Sequence, residues 1–403
     1  MDSRSTQAST PANPPGTKRS TLRTWLLRLV LSAGSAFAAL LVGEAWARGA
    51  ELAPPALEGR NKPLCRPRKD DSGLRYELVP NRRTTQVVSA WGASPQRQVQ
   101  YSVNRQGFRG ELAPIPKPAG EFRIVVVGDS FVFGSVVDDP ETFPAQLESR
   151  LAERFGPDRV RVINLGVPGY QARQYRATLK RRVARFEPDL VLINFYVNDP
   201  IPTPPTHKGP IDDPDPIPRS SAQKWIDRLG LGGKTWELAD DAPWQRRAVN
   251  QLQRSSKLFD RISNDLFQSL LYESNMQAHL HRWRKGGAGF ARILETLGLA
   301  SRLSHRNDFE LHVSMYPMLS KLDDYPLADA HARVGAACAL RGVTFHDFLP
   351  ALAGRDPATL WAHEMDHHPN AACHALVAGV LAEALADGIA AKVTAEAPQS
   401  VGR

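Results

Sequence analysis

Two short stretches, far apart in the chain, hold residue types that can together carry out acyl transfer. The first is Arg123-Ile-Val-Val-Val-Gly-Asp-Ser130. Ile124 to Val127 is too short for a helix and rich in β-branched residues, so it reads as a buried parallel strand. Ser130 would then emerge at the strand's carboxyl end, where open α/β sheets place their ligands. The second is Asp366-His-His-Pro-Asn370, ahead of an apolar helical run from Ala371 to Ala386. Proline suits the first position of a helix, which predicts His368 at or near the N-cap and exposed. Asp366, two residues earlier, can bond one imidazole nitrogen and leave the other free. A serine hydroxyl needs such a base, and the base needs an orienting acid. Taken alone, Gly-Asp-Ser is better read as Asp129 or Ser130 capping a following helix. The distant Asp-His pair favours chemistry.

Two further blocks place small or polar groups at strand ends. Asn164-Leu-Gly-Val-Pro-Gly169 follows the apolar Val160 to Ile163, and Tyr196-Val-Asn-Asp199 follows Leu190 to Phe195. A tetrahedral intermediate needs preorganised donors for its oxyanion, each worth about 3 kcal/mol. The backbone N–H of Ser130, the N–H of Gly169 and the side-chain amide of Asn198 are suitable. In this order the four blocks resemble the SGNH hydrolase superfamily, the GDSL-like esterases and lipases, over about residues 122 to 388. The resemblance implies Ser130 as nucleophile, His368 as base, Asp366 as its partner, and Ser130, Gly169 and Asn198 as the oxyanion hole. It differs in two places. Tyr196 stands where the family usually has glycine, which predicts narrower access near Asn198. The family's last block is often Asp-x-x-His, a spacing that Glu364 and His367 fit better than Asp366 and His368.

These residues need a sheet to hold them. Further strands are expected at Phe309 to Met315 and Val343 to Phe348, giving a flavodoxin-like three-layer α/β/α sandwich of about five parallel strands. The final helix should cover one face with Val377, Leu381 and Leu385. Tyr175, Leu179 and Val183 form the buried stripe of another helix, whose outer face carries Arg173, Arg176, Lys180, Arg181, Arg182 and Arg185. That arginine row contributes to the net charge of +9. A basic face could meet acidic head groups or an anionic polysaccharide, but a solvated outer helix accounts for it more simply, and no nucleic-acid motif accompanies it.

The catalytic region is expected over 121–390, with an insertion at 200–300 and a tail at 391–403. Within the insertion, Pro200 to Pro218 reads as a loop, and Trp244 to Leu271 as helix with Leu258, Ile262, Leu266 and Leu270 on one side. That stripe suits ordinary packing or a lid over an acyl pocket. The segment 49–120 reads as irregular, with Tyr101-Ser-Val-Asn-Arg-Gln-Gly-Phe-Arg-Gly110 its most definite piece. Gly107 and Gly110 mark a turn there, and Phe108 an anchor on the main domain.

The basic N-terminus, 1–24, precedes a 25–46 signal-anchor whose apolar stretch, 25–43, reaches roughly 29 Å at about 1.5 Å per residue. Ala45-Trp-Ala47 also offers a cleavage pattern. Either way the catalytic region is exported, to the periplasm in a Gram-negative cell. Three cysteines exclude a disulfide framework, although Cys338 and Cys373 could pair. No spacing suggests a metal, and no cofactor is expected. The expected activity is hydrolysis of an O-acyl ester, on a glycan or a lipid. The alternatives are O-acetyl transfer to a cell-surface polysaccharide, or glycan binding without catalysis.

Overall fold

A computed structural model describes residues 28, 32, 34–44, 64–68, 73–88, 97–203, 213–217, 255–256, 276–364 and 366–395. Two antiparallel strand pairs come first: β1 (Cys65–Pro67) with β2 (Tyr76–Leu78), and β3 (Arg82–Val88) with β4 (Arg97–Val103). The segment expected to be irregular is thus partly strand; its prolines and arginines hide a modest alternation, Val99, Tyr101 and Val103 being buried on β4.

The central layer is a parallel sheet of β5 (Phe122–Val127), β6 (Val160–Asn164), β7 (Leu190–Phe195), β8 (Glu310–Met315) and β9 (Thr344–Asp347), in the order β6-β5-β7-β8-β9. Every residue of β5 and β7 is buried, as a strand covered on both faces requires. Successive side chains serve opposite faces. Ile124 and Val126 pack with Leu147 and Leu151 of α2 (Phe143–Phe155) and with Val377, Leu381 and Leu385 of α7 (Ala371–Ala395). Val125 and Val127 face the other side, with Tyr175 of α3 (Ala172–Thr178), Ile293 and Leu297 of α4 (Ala288–Asn307) and Val334 of α5 (Ala328–Ala339). The strands, the covering helix and the stripe Tyr175, Leu179 and Val183 lie where the sequence reading put them. Helix α4 begins inside the expected insertion yet belongs to the core, with Phe290, Ile293, Leu297 and Ala300 buried.

Cys338 and Cys373 are both buried and unbridged, and they pack on opposite faces of the sheet, so they do not pair. The arginine row is only partly solvated: Arg182 and Arg185 donate to the carbonyls of Gln106 and Gly107. Phe108 is buried against Phe186, an anchor as expected. Most of the insertion, including its leucine stripe, lies outside the described residues, as do 1–24 and the end of the tail; α7 itself runs to Ala395. Of the expected span, residues 34–44 are helical, with Phe37, Leu40, Leu41 and Val42 exposed. Among the described residues no helix is long and apolar enough to cross a membrane.

His374 on α7 is fully buried, and its Nδ1 accepts the Phe143 N–H at 3.2 Å. A backbone N–H can only donate, so the ring is neutral in the fold. Burial, with the nearby positive charges of Arg109 and His368, pushes its pKa down to about 3. In the unfolded chain the ring takes a proton near pH 6.5. Stability from this group is therefore present above about 6.5 and lost as pH falls toward the native value. Buried acids such as Asp129 act in the opposite direction, so the comparison must be with a variant. His374→Asn keeps an acceptor near Phe143. Urea titrations should show wild type losing stability relative to this variant by about 1.4 kcal/mol per pH unit between pH 6 and 4. A difference independent of pH would refute this.

Candidate active site

Strand β5 lies between β6 and β7, so the chain leaves it where the connections diverge to either side, the position at which open α/β sheets bind their ligands. Asp129 and Ser130 stand at that point. Asp129 caps the one-turn helix α1 (Ser130–Phe133) by accepting the Phe131 N–H at 2.9 Å. The capping reading thus holds for Asp129. Capping turns the Ser130 side chain outward, where its Oγ lies 2.9 Å from His368 Nε2. On the other side of the ring, His368 Nδ1 meets Asp366 Oδ1 at 2.5 Å. The same oxygen accepts the backbone N–H of His368 at 3.1 Å, which fixes the carboxylate and the ring together.

Burial alone would raise the Asp366 carboxyl, but the positive charge and hydrogen bonds of His368 outweigh it and hold it below the usual range. Burial likewise works to lower the His368 pKa; the facing Asp366 overcomes it and raises the net value. The pair is therefore built to stabilise an imidazolium.

One local expectation fails. His368 is not a helix N-cap but part of a short hairpin, β10 (Trp361–His363) with β11 (Asp366–Pro369). Asn370 instead caps α7, its Oδ1 accepting the Cys373 N–H at 2.9 Å, which displaces Pro369 from the first helical position. The hairpin also sets the two histidines apart. Alternate residues of a strand face opposite ways, so His367 turns from Ser130, stacks on Trp361 with centroids 3.9 Å apart, and meets the Glu364 backbone carbonyl at 3.2 Å.

The expected oxyanion donors lie on neighbouring segments: the loop before Gly169 is tied to the strand before Ser130 by the Val167 N–H, which donates to the Gly128 carbonyl at 3.2 Å. Neither the Ser130 N–H nor the Gly169 N–H donates to any group among the described residues. Gly169 has φ +75°, a conformation only glycine adopts cheaply. Gly166 is required for a different reason: a Cβ there would run into the backbone of Val132 and Phe133 in α1. The Asn198 Nδ2 approaches Asp129 Oδ2 at 3.4 Å. Burial raises the Asp129 pKa to about 6, against the Phe131 N–H, the His368 charge and the Asn198 amide, which lower it. Asp199 accepts the Tyr196 N–H at 2.7 Å and closes the turn that presents Asn198. Sequence reading did not assign Asp129 a second partner; an acid directly before a strand-end serine was the available signal.

Tyr196, in the family's glycine position, stacks on Phe131 at 3.9 Å, and Phe131 in turn lies 5.4 Å from the His368 ring. Among the described residues no cluster of His, Cys, Asp and Glu is arranged to hold a metal ion.

Residues 126–376 match the GDSL-like Lipase/Acylhydrolase family, a span from the Ser130 strand into α7. The chain belongs to that family. It is accordingly a hydrolase of ester bonds. Solved structures similar to this acylhydrolase include an acetylxylan esterase from Geobacillus stearothermophilus, 15% identical, covering 68% of this chain and 95% of its own, with a TM-score of 0.35. A second is an alpha/beta hydrolase enzyme from the metagenome of Lake Arreo, Spain, 17% identical, covering 68% and 97%, with a TM-score of 0.34. No curated protein matches the acylhydrolase sequence.

Proposed function

We propose that this protein hydrolyses an O-acyl ester through a Ser130 acyl-enzyme, with His368 as general base and acid and Asp366 as its partner. The alignment of Ser130 Oγ, the His368 ring and Asp366 carries the reading. As Ser130 Oγ bonds to the ester carbonyl carbon, its proton passes to His368 Nε2. The carbonyl oxygen takes the negative charge and receives the N–H groups of Ser130 and Gly169 and the amide of Asn198. The carbon–alkoxy bond then breaks, and the leaving alcohol takes the proton from His368. Water attacks the acyl-enzyme in the same way, giving a carboxylic acid and restoring Ser130.

The ester is an acylated glycan or lipid met outside the cytoplasmic membrane. What supports that location is the stretch 25–43, apolar or small except for Arg28, behind the basic residues Lys18, Arg19 and Arg23, the pattern of a cytoplasmic N-terminus followed by an anchor. The exposed Phe37, Leu40, Leu41 and Val42 suit a lipid environment.

A fluorophosphonate probe tests the mechanism. Labelling mapped to Ser130 by peptide mass spectrometry, and lost in Ser130→Ala, is expected. An unlabelled wild type with native circular dichroism would sink the reading and favour a glycan-binding scaffold. Aryl esters of increasing chain length then size the acyl pocket.

A further inference from the structure

The turn that carries Ser130 and the loop that carries Gly169 are both held by residues outside the matched family region. The Tyr76 hydroxyl on β2 donates to the Pro168 carbonyl at 2.7 Å. Pro168 C=O and Gly169 N–H belong to one trans peptide, so they point in opposite directions. Holding the carbonyl on Tyr76 leaves the Gly169 N–H turned away from it, without an acceptor among the described residues. A Cβ on Gly169 would sit 2.7 Å from that hydroxyl, so the approach is as close as glycine permits.

Arg109 acts on the other side. A guanidinium has five N–H donors, and here each has an acceptor. Nε meets Asp139 at 2.6 Å, Nη1 meets the carbonyls of Phe133 and Gly134, and Nη2 those of Val137 and Gln100. Phe133 ends the helix that Ser130 begins. The next residues are strained: Val136, β-branched, has φ +66°, and its N–H is held by the Tyr101 hydroxyl at 2.9 Å. The guanidinium is buried between the Tyr101 and Phe133 rings, 4.7 and 4.8 Å from their centroids. Burial lowers its pKa, against the Asp139 charge that raises it.

The Asn104 to Gly110 loop is organised to deliver this side chain. Asn104 Oδ1 accepts the Gln106 N–H and its Nδ2 donates to the Gly110 carbonyl. Phe108 and the arginines 182 and 185 fasten the loop to the catalytic domain.

We propose that Tyr76 and Arg109 are positioning residues for acyl transfer, making the N-terminal strand pairs a working part of the active site. Tyr76 orients the oxyanion peptide, and Arg109 fixes the helix that presents Ser130. The proposal rests on Ser130 being the nucleophile. Neither residue touches the ester, so their loss should lower kcat and leave KM unchanged.

Tyr76→Phe removes only an oxygen. Arg109→Lys keeps the charge opposite Asp139 but has three donors for five acceptors. In the full-length protein, with p-nitrophenyl acetate, each should lower kcat roughly 10-fold to 100-fold, less than deleting an oxyanion donor outright. KM should stay within about twofold and fluorophosphonate labelling of Ser130 should slow in parallel. Arg109 lines an open cavity of about 660 Å³ between β4 and α2. Methylguanidine at non-denaturing concentration can enter there and should restore part of the kcat of Arg109→Ala. Folded Tyr76→Phe and Arg109→Lys variants with wild-type kcat would overturn the proposal alone. So would losses confined to KM. A wild type that neither turns over nor labels would overturn the Ser130 reading, and this proposal with it.

Discussion

His368→Ala is expected to lower kcat on the order of 10⁴-fold to 10⁶-fold, the range for removing the base of a serine triad. Nε2 is 2.9 Å from Ser130 Oγ, and its partner nitrogen is held by Asp366, so no other group stands ready to take the serine proton. His367 stacks on Trp361 and faces away, so it cannot substitute. Ser130→Ala should cost about as much, and the double variant little more, because the two act as one unit. His367→Ala, by contrast, should stay within about threefold of wild type. Folding should survive all three changes: the hairpin of β10 and β11, which carries both histidines, lies outside both core clusters apart from the partly buried Trp361 and Ala362, and Ser130→Ala removes one oxygen from a residue in neither cluster. The measurement is steady-state hydrolysis of an aryl ester alongside thermal unfolding. A folded His368→Ala variant that keeps a tenth of wild-type kcat would remove His368 from the mechanism.

The strands ahead of Ser130, Gly169 and Asn198 were legible in the sequence because each is a short, mostly apolar run, and such a run that stops at a polar or small residue marks a strand's end. The core was legible for the same reason: β5 and β7 are buried along their whole length and carry no competing signal. The hairpin bearing His368 was not. A proline before an alanine-rich helix is a good first helical residue, and nothing local reveals that Asn370 takes the cap and leaves Asp366 to Pro369 extended. Its consequence reached the site, because only an extended strand separates His367 from His368 by facing them oppositely. Choosing between Asp366 and Glu364 by spacing was beyond the sequence, since both spacings exist in it. The roles of Tyr76 and Arg109 were also hidden. Apart from Asp139, their acceptors are backbone carbonyls, which have no sequence signature, and Pro168 is 92 residues from Tyr76. Arg109 was one arginine among many in a basic chain. Only its burial and five acceptors distinguish it.

Asp366→Asn tests a finer point of the same geometry. In a serine triad where asparagine leaves the histidine in the wrong tautomer, kcat falls roughly 10⁴-fold. Here the oxygen that meets His368 Nδ1 also accepts the His368 backbone N–H. An amide placed there must present its oxygen to that N–H, so the same oxygen still faces Nδ1 and keeps the proton on it. The tautomer survives and only the charge is lost. The expected fall in kcat is therefore smaller, roughly 10²-fold to 10³-fold, and Asp366→Ala, which loses both oxygen and charge, should be worse. The pH profile separates the two effects. Catalysis needs neutral His368, whose pKa the Asp366 charge raises above the ordinary value, so wild-type kcat should rise with pH through a midpoint above about 6.5. Removing the carboxylate leaves burial, which disfavours the imidazolium, and the midpoint should move to lower pH in Asp366→Asn. A midpoint that stays put would mean that another group sets it. A loss as large for asparagine as for alanine would mean that the amide turns its nitrogen to the ring, and that the backbone N–H does not govern the orientation at position 366.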